Sequence, residues 1–245
     1  MNAPRFSKWP ALLVIVRHAE SLANRHRDLL RESRRRDTHL NLPTRDVDVP
    51  LTDHGRAQAR ATGRHLRGQC PPFHAAYVSP YERTRQTADL LLAELARPPR
   101  ERIIEERLRE KEFGILEGLT KHGIRALREE EHERKERIGK YYYRPPGGES
   151  YPDVNLRVHS FLGTLVREHA SENVLVVTHS VVVLCFRRLL ERMEEQQVLE
   201  LDRTDDVKNA SLLVYESEPG PGGLARRAWN LAPWETAIDA VNPIS

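Results

Sequence analysis

Residues 11 to 16 (Ala-Leu-Leu-Val-Ile-Val) form an unbroken apolar run. A run this short, rich in branched side chains and without alternation, predicts a strand covered on both faces, as in a parallel sheet. It stops at Arg17-His18-Ala19-Glu20-Ser21. A second such run, 174–177, stops at Thr178-His179-Ser180. A short strand is expected at 74–78 and a weaker one at 102–108. Two strand-like runs, 210–215 and 224–229, flank a Pro/Gly-rich connection at 218–223 and suit a closing hairpin.

Between the strands the pattern turns helical. One helix opens at Leu51-Thr-Asp-His-Gly55, capped by Thr52 or Asp53, and runs to about Arg67, with Gly68 as its C-cap. Another starts with Ser79 as N-cap, Pro80 at the first helical position and Glu82 completing a capping box. It reaches about Ala96, and Pro98 and Pro99 stop it. The stretch 149–168 carries an apolar stripe at Val154, Val158, Phe161, Leu162 and Leu165. A further helix follows His179 to about Arg192. The charge-dense stretch 117–143 is helical in pattern with little to bury, an excursion from the core ended by Pro145-Pro-Gly-Gly148. Residues 24–50 are basic and weakly periodic, and predict an irregular insertion with a short helix near 28–35. The final residues read as a tail.

Strands alternating with helices predict an α/β fold, a three-layer α/β/α sandwich on a mostly parallel sheet with right-handed crossovers. The length of 245 residues suits one domain, 1–245, with insertions at about 24–50 and 111–145 on its rim. Hydrophobic residues make up 39%, charged residues 31%, and the mean hydropathy is -0.63, values of a soluble chain with a charged surface. No segment reaches the ~18 apolar residues of a membrane span, and none has a signal-peptide core, so a cytoplasmic protein without a membrane partner is expected. Cys70 and Cys185 have no Cys or His at metal-ligand spacing. Two cysteines cannot staple a domain of this size, which agrees with a reducing compartment.

The formal charge of +3, from 39 basic and 36 acidic residues, gives no reason to expect a nucleic-acid partner. The arginines are nevertheless concentrated: Arg25, Arg27, Arg31, Arg34, Arg35, Arg36 and Arg45 share one stretch. They form either a solvated face or a rim that attracts anions.

Candidate chemistry lies at the strand ends, where open α/β sheets place ligands. Neighbouring parallel strands would bring His18 and His179 within a few ångströms. Arg17 precedes His18, and Arg83 lies in the first turn after the second strand. Guanidinium forks match phosphate oxygens in pairs, and helix N-termini add donors. Two histidines, two arginines and helix N-termini make a pocket suited to a phosphoryl group. Arg85, by contrast, reads as a solvated helix residue.

Val14-Ile-Val-Arg-His-Ala-Glu-Ser21 resembles the signature of the histidine phosphatase superfamily, the phosphoglycerate mutase-like fold, and Asn24 stands where that signature has an asparagine. Pro50-Leu-Thr-Asp-His-Gly55 is similar to the next block. Ser79-Pro-Tyr-Glu-Arg-Thr-Arg-Gln-Thr-Ala88 resembles the block with a phosphate-binding arginine, here Arg83. Leu108-Arg-Glu-Lys-Glu-Phe-Gly114 resembles the block with the acid, here Glu110. Gly147-Gly-Glu-Ser150 and Val176-Val-Thr-His-Ser180 complete the order. Ala19 and Ser180 depart from the family's usual glycines, and Ala19 matters if the site needs a positive φ.

The resemblance implies a phosphohistidine on His18, charge stabilisation by Arg17, Arg83, His179 and Asn24, and Glu110 as acid and then base. It implies no cofactor and no metal, because the arginines supply the positive charge. Taken alone, Glu110 would read as a surface charge beside Glu106 and Glu112. Family mutases have a long segment between the acid and the second histidine. The segment here is shorter, so hydrolysis of a small-molecule phosphate ester is expected. A mutase-type phosphotransferase and a non-catalytic binder of phosphorylated ligands are the alternatives. Tyr141, Tyr142 and Tyr143 are candidates for the rim or for ordinary packing.

Overall fold

The computed structural model describes residues 7–218 and 223–239. Its centre is a six-stranded sheet in the order β3-β2-β4-β1-β5-β6. The strands are β1 (Leu12–Arg17), β2 (Ala75–Val78), β3 (Glu101–Ile104), β4 (Asn173–Thr178), β5 (Leu212–Ser217) and β6 (Leu224–Leu231). The first four run parallel, and β5 and β6 add the antiparallel hairpin that the pattern predicts. The helices are α1 (Leu22–Glu32), α2 (Asp53–Gln69), α3 (Glu82–Ala93), α4 (Lys121–Leu127), α5 (Glu129–Ile138), α6 (Tyr151–Glu168), α7 (Ser180–Leu190), α8 (Glu195–Thr204) and α9 (Trp234–Asp239). Among the described residues no helix is long and apolar enough to cross a membrane.

The unbroken apolar runs are explained by what each face meets. Val14, Val16, Ala76, Val78, Leu175 and Val177 pack against Leu66 of α2 and Leu91 of α3. Their sequence neighbours Leu13, Ile15, Tyr77, Val174 and Val176 pack on the opposite face, against Phe161 of α6 and Phe186 of α7. Each fully covered Leu or Val contributes about 1.5–3 kcal/mol.

Register places the chemistry. Arg17 pairs with Thr178 across β1 and β4, so His18 and His179 leave adjacent strands at one level. Val78 pairs with Val177, which brings Ser79 to the same edge.

Several elements differ from expectation. The helix expected at 28–35 begins at Leu22, because Ser21 and Asn24 cap it reciprocally, and Arg continues a helix well. Gly68 lies inside α2, whose C-cap is Cys70. Tyr81, not Ser79, is the N-cap of α3, and that helix stops at Ala93. The strand expected at 102–108 is β3 followed by a 3-10 turn at Glu106–Leu108. The stretch 117–143 divides into α4 and α5 at Arg128, whose φ of -142° and ψ of 52° break the helix. The expected tail carries α9, held by Trp234 Nε1 donating to the Asn209 carbonyl (2.7 Å). Residues 219–222 of the hairpin connection lie outside the described residues, as do 240–245.

Candidate active site

His18 and His179 sit 4% and 0% exposed, with ring centroids 5.2 Å apart. His18 Nδ1 lies 2.8 Å from the Ala19 carbonyl oxygen, an acceptor only. Nδ1 therefore carries the proton, and Nε2 keeps its lone pair. Ala19 is not among the residues with positive φ, so the departure from glycine adds no backbone strain there. Burial, then the charges of Arg83 and Arg17, hold the His18 pKa well below the usual imidazole range. Burial, Arg83 and His18 do the same to His179. Both rings are neutral near pH 7.

Residues 79–88 pack beside the two histidines and bring Arg83 to the cleft. Ser79 Oγ lies 2.8 Å from His179 Nε2, which is why it does not cap α3. His179 Nδ1 is buried and makes no hydrogen bond. The Tyr81 ring meets His179 edge-on at 5.0 Å and lies beneath the Arg83 guanidinium at 4.8 Å. Thr87 Oγ1 accepts from the Ala19 N–H (3.0 Å) and donates to the Arg83 carbonyl (2.6 Å). One hydroxyl thus couples the loop that follows His18 to the first turn of α3, which carries Arg83.

Arg83 is almost fully buried, and its Nη1 and Nη2 donate to the carbonyl (2.6 Å) and carboxylate (3.0 Å) of Asp46. Arg17 donates to the Val207 carbonyl, and its buried Nε has no partner. Glu110 Oε1 accepts from the Lys111 N–H (2.9 Å), and Arg157 Nη2 holds the Glu110 carbonyl (3.2 Å). Burial raises the Glu110 pKa, against the lowering effects of the Lys111 amide, Arg83 and Arg17. Asn24 Oδ1 accepts from Ser21 N, Ser21 Oγ and Asn209 Nδ2 (3.1, 2.8 and 3.3 Å), which leaves the amide NH2 as its donor end.

Arg17, His18, Asn24, Arg83 and Glu110 line one cleft of about 900 Å³, with His179 against His18. Ser180 and Val181, at the N-terminus of α7, line it too and bring backbone donors and the positive end of a helix dipole. The roof is made by the two insertions, which are hydrogen-bonded to each other. Leu40 N donates to the Gly118 carbonyl (2.8 Å) and Thr120 N to the Thr38 carbonyl (3.0 Å). A Cβ on Gly123 would run into the Thr38 carbonyl, so the glycine allows this closeness.

None of the three tyrosines lines the cleft. Tyr141 stacks on Tyr151 in the core, Tyr143 is buried with its hydroxyl on Glu131 (2.7 Å), and Tyr142 is exposed. Among the described residues no group of three His, Cys, Asp or Glu is placed to hold a metal. Ser79, Tyr81, Thr87, Asn209 and Asp46 belong to the site without having been singled out for it from the sequence, whereas Arg27, one of the arginines of the basic stretch, lines the cleft. The first three lie within the recognised block 79–88, which was the available signal.

The model of the histidine phosphatase superfamily, branch 1, matches residues 13–230. The chain is 36% identical over 190 residues to a 2,3-bisphosphoglycerate-dependent phosphoglycerate mutase of Gloeobacter violaceus, covering 77% of this chain and 79% of the relative. It is 33% identical over 232 residues to a phosphoglycerate mutase-like protein of Arabidopsis thaliana, covering 84% of this chain and 74% of the relative. Among solved structures, the alpha-ribazole phosphatase from Shigella flexneri matches with a TM-score of 0.68 at 22% identity, over 90% of this chain and 97% of that one, a likeness of fold.

Proposed function

The chain belongs to the histidine phosphatase superfamily, and we propose that within it the protein is a phosphatase that hydrolyses small-molecule phosphate monoesters through a phosphohistidine on His18. The observation that carries this reading is the orientation of His18: Nδ1 is tied to the Ala19 carbonyl, so Nε2 is the free nucleophile in a cleft it shares with Arg17, Arg83 and Glu110.

In the first step Nε2 bonds to phosphorus as the ester P–O bond breaks, and Glu110 gives its proton to the leaving oxygen. The raised Glu110 pKa suits a carboxyl that begins protonated. Arg17, Arg83, the His179 Nδ1–H and the Asn24 amide spread the charge on the equatorial oxygens. In this reading the Ser79 hydroxyl donates to His179 Nε2, 2.8 Å away, so that the ring carries its proton on Nδ1. In the second step water attacks phosphorus, passes its proton to Glu110 and releases His18 and inorganic phosphate. The arginines supply the positive charge, so no metal is needed.

Hydrolysis is favoured by the segment from Glu110 to His179, which is shorter than the one expected of family mutases. Phosphotransfer is the second reading, favoured by the 36% identity to a mutase. The test is release of nitrophenol from p-nitrophenyl phosphate in chelator-treated buffer, beside His18→Ala. Release that disappears in the variant supports the phosphatase. Absence of release, with phosphate exchange appearing once a bisphosphate primer is added, supports the mutase. Binding without either reaction supports a non-catalytic member.

A further inference from the structure

Two of the three arginines of α1, Arg27 and Arg31, border the active-site cleft, while the third, Arg25, lies off it beside Glu32 (3.6 Å). Asn24, Arg27 and Arg31 recur at helical spacing and, with Arg34 just past the C-cap Ser33, line the active-site cleft. They form a row leading away from the catalytic floor. Arg27 stands nearest: its charge acts on His18 and Arg17, and crowding by protein lowers its own pKa while its side chain stays open to the cleft. From Asn24 to Arg31 the helix advances about 10 Å.

The cleft holds more positive charge than one phosphoryl group uses. Eight Arg and Lys line it against three Asp and Glu. A phosphate on His18 engages Arg17 and Arg83 at the floor. Among the described residues neither Arg27 nor Arg34 has an ion-pair partner, and Arg31 has only the exposed Asp28 at 3.3 Å. A purely solvated face would turn these guanidiniums outward, whereas here they border the cavity. Leu40, Leu116, Leu119 and Ile124 also line the cleft and give it apolar surface.

We propose that Arg31 and Arg34 form a second anion subsite, and that the substrate is an extended phosphate monoester carrying a second phosphoryl group about 10 Å from the scissile one across an apolar spacer. Arg27 lies between the two ends and contacts the leaving group. The chemistry at His18 rests on the proposed phosphatase reading, but the subsite binds without turnover.

The test is calorimetric titration of His18→Ala with hexanediol monophosphate, hexanediol bisphosphate and ethylene glycol bisphosphate, a ruler of two lengths. The long bisphosphate is expected to bind about tenfold or more tighter than the monophosphate. This advantage is expected to vanish in Arg31→Ala/Arg34→Ala, and to persist in Arg36→Ala, which removes one neighbouring positive charge outside the cleft. Thermal melting checks that the double variant is folded, and Arg31→Lys/Arg34→Lys should keep part of the advantage. Equal binding of the two hexanediol esters overturns the subsite. So does an equal advantage for the short bisphosphate, or an equal loss in Arg36→Ala. If the subsite advantage is present while the wild type hydrolyses neither ester, the phosphatase reading fails and the subsite stands. If neither ester binds, both fail.

Discussion

Arg83 holds Asp46 with both ends of its fork, one nitrogen on the carbonyl and one on the carboxylate. The same guanidinium is the proposed phosphate clamp, so an incoming phosphoryl group meets a carboxylate already in place. Asp46→Asn keeps an acceptor but removes the negative charge. Inhibition by inorganic phosphate is then expected to strengthen about threefold to tenfold, because the repulsion at the clamp is gone. An unchanged inhibition constant contradicts a competition between Asp46 and phosphate.

In the proposed reaction Ser79 is a positioning residue that acts through His179. Removing its hydroxyl leaves Nε2 buried without its partner and frees the ring to change tautomer. Ser79→Ala is expected to lower kcat by about tenfold with a smaller change in KM. Ser79→Thr, which restores a hydroxyl, should recover part of the loss. If Ser79→Ala leaves kcat intact, the tautomer of His179 is set elsewhere.

Gly55 supports the site from below. A Cβ there would collide with the Glu20 carbonyl, two residues past His18. The Glu20 carbonyl also accepts from the Thr52 N–H (3.0 Å), so the segment has little room to yield. Gly55→Ala is expected to cost about 1–3 kcal/mol in denaturant unfolding. Activity should fall with it, since the displaced backbone is continuous with Ala19.

Acid should destabilise the fold through its histidines. His18 and His179 have pKa values well below those of an unfolded chain, so below about pH 6.5 the unfolded state binds the more protons. Their contribution is complete above that pH and is lost as the pH falls. The melting temperature is expected to decline below about pH 6.5, and less so in His179→Asn. Glu110 has the opposite sign: its raised pKa makes the acid form available at higher pH, and kcat should fall as the pH rises through it. In Glu110→Gln that basic limb should be absent. A limb that survives the substitution assigns the acid elsewhere.

The sequence was most legible where one physical demand dominates. The apolar runs before His18 and His179 predict covered strands, and their ends meet because parallel pairing sets Arg17 beside Thr178. The α1 boundary was missed because its residues bury little, and the Ser21–Asn24 cap outweighs the weak pattern. Ser79 read as a helix cap from local chemistry, but a residue 100 positions away takes its hydroxyl. Asp46 and Arg27 enter the site through tertiary folding of the basic insertion, for which a one-dimensional charge run carries no direction. The tyrosine run divides for the same reason, with Tyr141 in the core, Tyr143 buried against Glu131 and Tyr142 exposed.

The most direct test of the account is to mix the protein with a phosphate monoester, quench in alkali, and map the modified peptide by mass spectrometry. Phosphohistidine survives alkali and is lost in acid. The account predicts one phosphoryl group on the peptide containing His18, attached to Nε2 and absent from His18→Ala. Turnover with no phosphoryl group on that peptide, or with label on His179 instead, would contradict it.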